Sequence, residues 1–161
     1  MAEQKTNVMR TLEQKKIKYT AHEYPHGDTA VDGVTVATMT GRDPAQVFKT
    51  LVARGAKGKI YVFVIPVDME LELKKAAKAV GEKSIAMVHV SELLGLTGYV
   101  RGGCSPIGMK KRYPTVFHSS AEQQETILVS AGKIGSQVEL KPADLIAVTG
   151  GVTADIAAKE A

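Results

Sequence analysis

The amino-acid sequence predicts one α+β domain with a mostly antiparallel sheet that can curl into a barrel, and three observations carry that prediction. Helical and strand periodicities alternate along the chain with no linker, repeat or low-complexity stretch between them. Residues 44–67, PAQVFKTLVARGAKGKIYVFVIPV, set two apolar runs on either side of the turn-like GAKGK, the pattern of a β-hairpin. A length of 161 residues, 44% hydrophobic and 24% charged, suits a single compact domain over 1–161 with an adequate core.

The elements follow in order. Val8, Met9, Leu12 and Ile17 recur at near-helical spacing and predict a helix over 4–16, and YTAHEYP (19–25) then reads as a short strand closed by Pro25. TAVDGVTVATMTG (29–41) predicts a second helix stopped by Gly41, against the lower helix propensity of its β-branched residues. After the hairpin, MELELKKAAKAVG (69–81) predicts a strong Ala-, Leu- and Lys-rich helix with a glycine stop, and VSELLGLTG (90–98) a shorter one. TVFHSS, TILVSAG and QVELK predict further strands, and PADLIAVTG and TADIAAK late helical turns.

Composition narrows the class. The single cysteine, Cys104, allows no disulfide framework and no cysteine-based zinc site, which fits a reducing compartment. No apolar run reaches the length of a membrane span, and the N-terminal residues lack the apolar core of a signal peptide, so the expected location is the cytoplasm with no membrane partner. A net charge of +4 with lysine clusters at 15–18, 74–78 and 110–112 admits a polyanionic partner such as nucleic acid. An aromatic content of 5% without Trp argues against a surface that stacks several bases.

Two features bear on chemistry. Lys49 interrupts the apolar run QVFKTLV, where alternation puts it on the face of Val47 and Leu51 and puts Phe48, Thr50 and Val52 on the other. It is either an exposed strand residue that guards an edge or a charge projecting into a cavity. The loop RGGCSPIGMKKR (101–112) carries adjacent glycines, Gly102 and Gly103, that let a ligand approach the main chain, and Pro106 stiffens it. Such a loop presents N–H groups to an oxyanion or phosphate, or is a plain tight turn. His22 and His26 are separated by Pro25 and no acidic or cysteine partner completes a zinc pattern, so no metal and no cofactor are expected. HExxH, GxSxG and Walker patterns are absent, and Cys104 reads as a small buried hydrophobe. GKIG, beginning at Gly132, reads as a turn preceded by Ser130.

Taken in order, HEYPH, PAQVFKTLV, LELKKAAKAVG, TGYVRGGCSPIGMKKRYPTV and TILVSAGKIG resemble the YbaK family of aminoacyl-tRNA deacylases, relatives of the editing domain inserted in bacterial prolyl-tRNA synthetases. The resemblance runs from Leu12 to Ile156. It implies a mixed, barrel-like sheet surrounded by helices and a site that hydrolyses mischarged tRNA, with Cys-tRNA(Pro) the substrate of the branch most resembled. Lys49 falls on the family's functional lysine, and Gly102 and Gly103 on its glycine loop. Tyr24 and Ser130 match its site tyrosine and serine, and Gly132 opens the adjoining turn. The resemblance therefore implies a cleft position for Lys49. Gln137 stands where close relatives carry an aspartate, and the stretch 27–41 is the least family-like, at the place of a lid or specificity helix.

An aminoacyl ester is already activated, so positioning and oxyanion stabilisation suffice, and the resemblance suggests that the thiol of a cysteinyl substrate itself attacks the ester carbonyl. The expected partners are the acceptor end of aminoacyl-tRNA and prolyl-tRNA synthetase, with the chain a monomer. Two other readings are Ala-tRNA(Pro) or another small aminoacyl-tRNA as substrate, and a noncatalytic tRNA- or synthetase-binding module.

Overall fold

The computed structural model describes residues 5–27 and 31–159. Helix α1 (Asn7–Gln14) starts where the Thr6 hydroxyl accepts the Met9 N–H at 3.2 Å, and it buries Val8, Met9 and Leu12 on one face. Strand β1 (Thr20–Glu23) follows. Helix α2 (Gly33–Thr40) is capped by Asp32, whose carboxylate accepts the Thr35 N–H at 3.0 Å, and it ends on the left-handed Gly41, where the sequence sets the stop. Thr29 and Ala30, at the start of that expected helix, lie outside the described residues.

The expected hairpin forms as β2 (Phe48–Gly55) and β3 (Ile60–Pro66), paired from Phe48 opposite Pro66 to Arg54 opposite Ile60. Gly58, at φ 88°, makes the turn. Strand β3 is buried along its whole length and alternates between two cores, with Val62 and Val64 facing one and Tyr61, Phe63 and Ile65 the other. That double burial makes it the central strand and explains why its sequence is continuously apolar.

The chain continues through β4 (Met69–Leu71), α3 (Leu73–Ala79), β5 (Ile85–Met87), α4 (Val90–Thr97), β6 (Thr115–His118), β7 (Ile127–Ser130), β8 (Ser136–Leu140), α5 (Pro142–Thr149), β9 (Val152–Ala154) and β10 (Ala157–Lys159). Three sheets result among the described residues. The five-stranded one has the order β5-β2-β3-β6-β9, in which β6 runs parallel to β3 and β9 parallel to β6. The second is antiparallel, β1-β8-β7, and the third pairs β10 with β4. The architecture is α+β and mostly antiparallel, as the sequence predicts, but the sheet is not closed into a barrel. Strands β5 and β9 remain edges, and β7 meets the β2 region through one parallel bridge, Val47 to Leu128, in place of a ladder.

Two segments depart from the sequence reading. Residues 69–71, expected as the first turn of a helix, form β4, and 153–159, expected as helical turns, lie largely in β9 and β10. The pairings Ala157–Leu71, Ala158–Glu70 and Lys159–Met69 satisfy backbone groups that helix propensity would have satisfied locally.

One partly buried carboxylate ties the layers together. Glu139 on β8 accepts from His22 Nε2 at 2.7 Å and Arg42 Nη2 at 2.8 Å through one oxygen, and from Thr126 Oγ1 at 2.5 Å and Gln46 Nε2 at 3.4 Å through the other. Burial pushes its pKa up, yet the bonds from Thr126 and His22 and the charge of Arg42 outweigh that effect and hold it below the usual carboxylate range. A lowered folded pKa contributes stability above the unfolded value, about 4.3 for Glu, and loses it as pH falls through the folded value. Glu139→Gln should therefore lower unfolding free energy at pH 7 by about 2 kcal/mol, as expected for charge-assisted bonds, with the gap to the native protein closing below pH of about 4. Urea melts across that range check it, and an equal gap at acid and neutral pH would contradict the assignment.

Candidate active site

The ends of β1, β7 and β8, the start of β2, one face of α2 and the loop after α4 enclose a cleft of ≈ 120 Å³. Each wall delivers a polar group for a local reason. The Tyr24 N–H donates to the Gly135 carbonyl at 2.9 Å, which extends the β1–β8 ladder by one step and turns the Tyr24 ring into the cleft. Ser130 and Gln137 are cross-strand partners on β7 and β8, so both reach the same wall. Lys49 and Thr50 come from the first turn of β2, next to the Val47–Leu128 bridge that brings the two sheets together. Gly33 lets α2 approach the residue that follows β3, because a Cβ there would stand 2.6 Å from Cβ of Val67 on the cleft wall.

Of the residues marked out in the sequence, Tyr24, Lys49, Gly102 and Ser130 meet in this cleft. A larger hollow of ≈ 590 Å³ beside α5 contains none of them. Lys49 is half-buried and takes part in no ion pair or hydrogen bond among the described residues, so its ammonium is available to a ligand. Ser130 Oγ accepts the Gly132 N–H at 3.1 Å, which leaves the hydroxyl proton to donate.

Gly103 and Gly132 stand one layer behind. The Gly103 N–H donates to the Val100 carbonyl at 3.0 Å, and a Cβ on Gly103 would lie 2.9 Å from the Lys133 Cα, so this residue packs the 101–112 loop against the 131–135 turn. Gly132, at φ 102°, leaves only 3.1 Å between a Cβ and the Tyr99 ring, and its N–H orients Ser130. Gly102, at φ 86°, reaches the cleft itself, and among the described residues neither its N–H nor that of Cys104 has a hydrogen-bond acceptor.

Two further wall residues carry no motif. Among the described residues Thr50 Oγ1 and Gln137 Oε1 are buried side-chain oxygens with no hydrogen-bond partner, and both residues belong to the cleft wall. Buried polar atoms without partners are uncommon, and two of the four found among the described residues belong to residues of this cleft, the others being Ser120 Oγ and Ser136 Oγ. Nothing in strand alternation distinguishes Thr50, and the resemblance marks Gln137 only through the aspartate expected in its place. Cys104 also lines the cleft, and burial pushes its thiol up to about 12, so at neutral pH it is a protonated apolar lining and no nucleophile. Among the described residues no cluster of three His, Cys, Asp or Glu could hold a metal ion.

Comparison with known proteins bears on the family and the fold. The family model for the aminoacyl-tRNA editing domain matches residues 26–148. A protein of Enterococcus faecalis (strain ATCC 700802 / V583), named as a candidate Cys-tRNA(Pro)/Cys-tRNA(Cys) deacylase, EbsC, is 46% identical over 158 residues, covering 98% of this chain and 96% of the relative. A crystal structure described as a candidate trans-editing enzyme for prolyl tRNA synthetase is 26% identical, with a TM-score of 0.80 over 98% of this chain and all of the other. The hypothetical protein APE2540, 21% identical, has a TM-score of 0.85 over 95% of this chain and all of its own, and shares the fold. With the model match spanning most of its length and a relative at 46% identity, this chain belongs to the aminoacyl-tRNA editing domain family.

Proposed function

We propose that the chain acts as one editing domain that releases the amino acid from mischarged Cys-tRNA(Pro), as the name of the Enterococcus faecalis relative describes for that protein. The observation that carries this reading is a small cleft in which a lysine without a counter-ion shares the wall with Thr50 and Gln137, whose buried side-chain oxygens are unpartnered, all among the described residues. Lys49 and the N–H groups of Gly102 and Cys104 stabilise the negative charge that develops on the ester carbonyl oxygen. Gln137 Oε1 and Thr50 Oγ1 accept from the substrate α-amino group. The Tyr24 and Ser130 hydroxyls hold the terminal ribose, with Gly103 and Gly132 fixing the two loops behind them.

No protein nucleophile is required for a cysteinyl substrate. Its thiol sulfur bonds to the carbonyl carbon, the C–O ester bond breaks, and the thiol proton ends on the ribose oxygen of the departing tRNA. The product is a cyclic thiolactone, which water opens outside the cleft. An alanyl ester has no such internal nucleophile and would need an attacking water.

Lys49→Ala should lower deacylation of Cys-tRNA(Pro) by about 100-fold or more, the scale of a lost oxyanion donor, while melting within a few degrees of the native protein. Release of labelled amino acid from Cys-tRNA(Pro) and Ala-tRNA(Pro) side by side reads this directly. Retained activity in the variant would remove Lys49 from the mechanism, and equal release from both tRNAs would replace thiol attack by water attack.

The unpartnered oxygens give a second test with opposite signs for stability and function. Thr50→Val and Gln137→Leu remove polar groups that the folded protein leaves unsatisfied, so melting temperatures should stay level or rise, while kcat/KM falls about tenfold for each. Parallel losses of stability and activity would instead mark both as structural.

We further infer that tRNA selection is borrowed from prolyl-tRNA synthetase, the enzyme in the description of the 26% identical structure. At low deacylase concentration, adding that synthetase should raise the rate of Cys-tRNA(Pro) deacylation, and an unchanged rate would count against docking.

A further inference from the structure

Beside the cleft mouth, the two loops that carry Gly102, Cys104 and Ser130 also bear exposed side chains that the deacylation chemistry leaves unused. Residues 98–112 and 130–135 contain Arg101, Lys110, Lys111, Arg112 and Lys133 and no aspartate or glutamate. Arg101 directly precedes the cleft residue Gly102, and Lys133 is brought to the same place because Gly103 packs without a Cβ against its backbone. Both cations are exposed, and neither has an ion-pair partner among the described residues.

An aromatic ring stands on the same rim. His26 is exposed and lies over Gly135, the last residue of the Lys133 turn, where a Cβ would overlap the imidazole. Its Nδ1 pairs with the Gly27 carbonyl at 2.8 Å, and it meets the Tyr24 ring edge-on with centroids 6.4 Å apart. The ring is thus held next to the cleft wall. A stacking ring flanked by uncompensated cations is the combination that binds single-stranded nucleic acid, the ring taking a base face and the cations the phosphates. The low aromatic content that argues against a multi-base platform is compatible with one such position.

We propose that His26, Arg101 and Lys133 form a landing rim for the unpaired 3′ end of the RNA, with one terminal base stacked on His26 and adjoining phosphates held by Arg101 and Lys133. This deepens the deacylase reading by naming how the nucleotide part of that substrate is gripped. It assigns these three residues to RNA binding alone, with no part in breaking the ester.

The test uses an uncharged, dye-labelled RNA hairpin with a four-nucleotide single-stranded 3′ tail, and the same hairpin made blunt, with binding read by fluorescence anisotropy across a salt series. The native protein should prefer the tailed hairpin. His26→Ala should weaken that complex about tenfold, the scale of one lost base stack, leave the blunt hairpin unaffected, and be rescued by His26→Phe. Arg101→Gln with Lys133→Gln should flatten the dependence of log Kd on log salt by about 1.4, or about 0.7 for each lost single-strand phosphate contact. No preference for the tailed hairpin, or variants that match the native affinity and salt slope, would overturn the rim. Since the probe carries no aminoacyl group, tail binding through these residues in a protein that released no amino acid would overturn the deacylase reading and leave the rim standing.

Discussion

The cleft has no element of its own, and its walls hold their places because one carboxylate accepts from four separate pieces of chain. Glu139 gathers His22 from β1, Arg42 from the exit of α2, Gln46 from the approach to β2, and Thr126 from the approach to β7. Each of these segments leads directly to a wall: β1 to Tyr24, α2 back to Gly33 and Val36, β2 to Lys49 and Thr50, and β7 to Ser130. Partly desolvated and unpaired, the carboxylate would be costly, but four donors occupy both oxygens and make the arrangement geometrically specific. The clamp sits two residues along β8 from Gln137, so the strand that bears it also bears part of the cleft wall.

Polar satisfaction at the clamp stands against polar frustration in the cleft. Thr50 Oγ1 and Gln137 Oε1 are desolvated without partners, and Lys49 has no counter-ion among the described residues. Such groups cost stability in the free protein and are repaid only when a ligand completes them. The neutral amide of Gln137 matters here. A carboxylate on the same wall as Lys49 would offset the ammonium charge, whereas an amide leaves that charge undiminished for an incoming carbonyl or phosphate. An amide at this position thus keeps a hydrogen-bond acceptor in the cleft wall without offsetting that charge.

How much of this was legible in the sequence depends on the range of the interaction. Helix α1, the stop of α2 at Gly41, the β2–β3 hairpin, and helices α4 and α5 are written in local periodicity and glycine stops, and the structure has each of them. Residues 69–71 and 157–159 were read as helical because alanine, leucine and lysine favour helix locally, yet they are each other's strand partners across more than half the chain. Each segment needed the other to be recognised. The short strand β5 went unread for the same reason, since its strand character comes from pairing with the end of β2. Within the cleft, Tyr24, Lys49, Gly102 and Ser130 were marked by family pattern. The isolation of Thr50 and Gln137 is a property of the folded state, in which burial removes water and no neighbour replaces it. Gly103 and Gly132 look like cleft residues in sequence because they adjoin Gly102 and Ser130, but close packing against Lys133 and Tyr99 gives each a different physical task.

The inert thiol of Cys104 places a further constraint on chemistry. It lies in the cleft wall, yet burial raises its pKa to about 12, and a thiolate, the reactive form, is effectively absent at neutral pH. A competent protein nucleophile there would attack any aminoacyl ester that entered, correct or incorrect. In the proposed mechanism, a thiol kept protonated, with Lys49 and backbone donors that stabilise charge without forming a bond, leaves the choice of reaction to the substrate's own side chain. Discrimination then requires no pocket able to distinguish groups of nearly equal size, a distinction worth only about 1–3 kcal/mol per methylene. Under the proposed mechanism, an amino acid that carries its own nucleophile is released, and one of similar volume without it stays bonded to the tRNA.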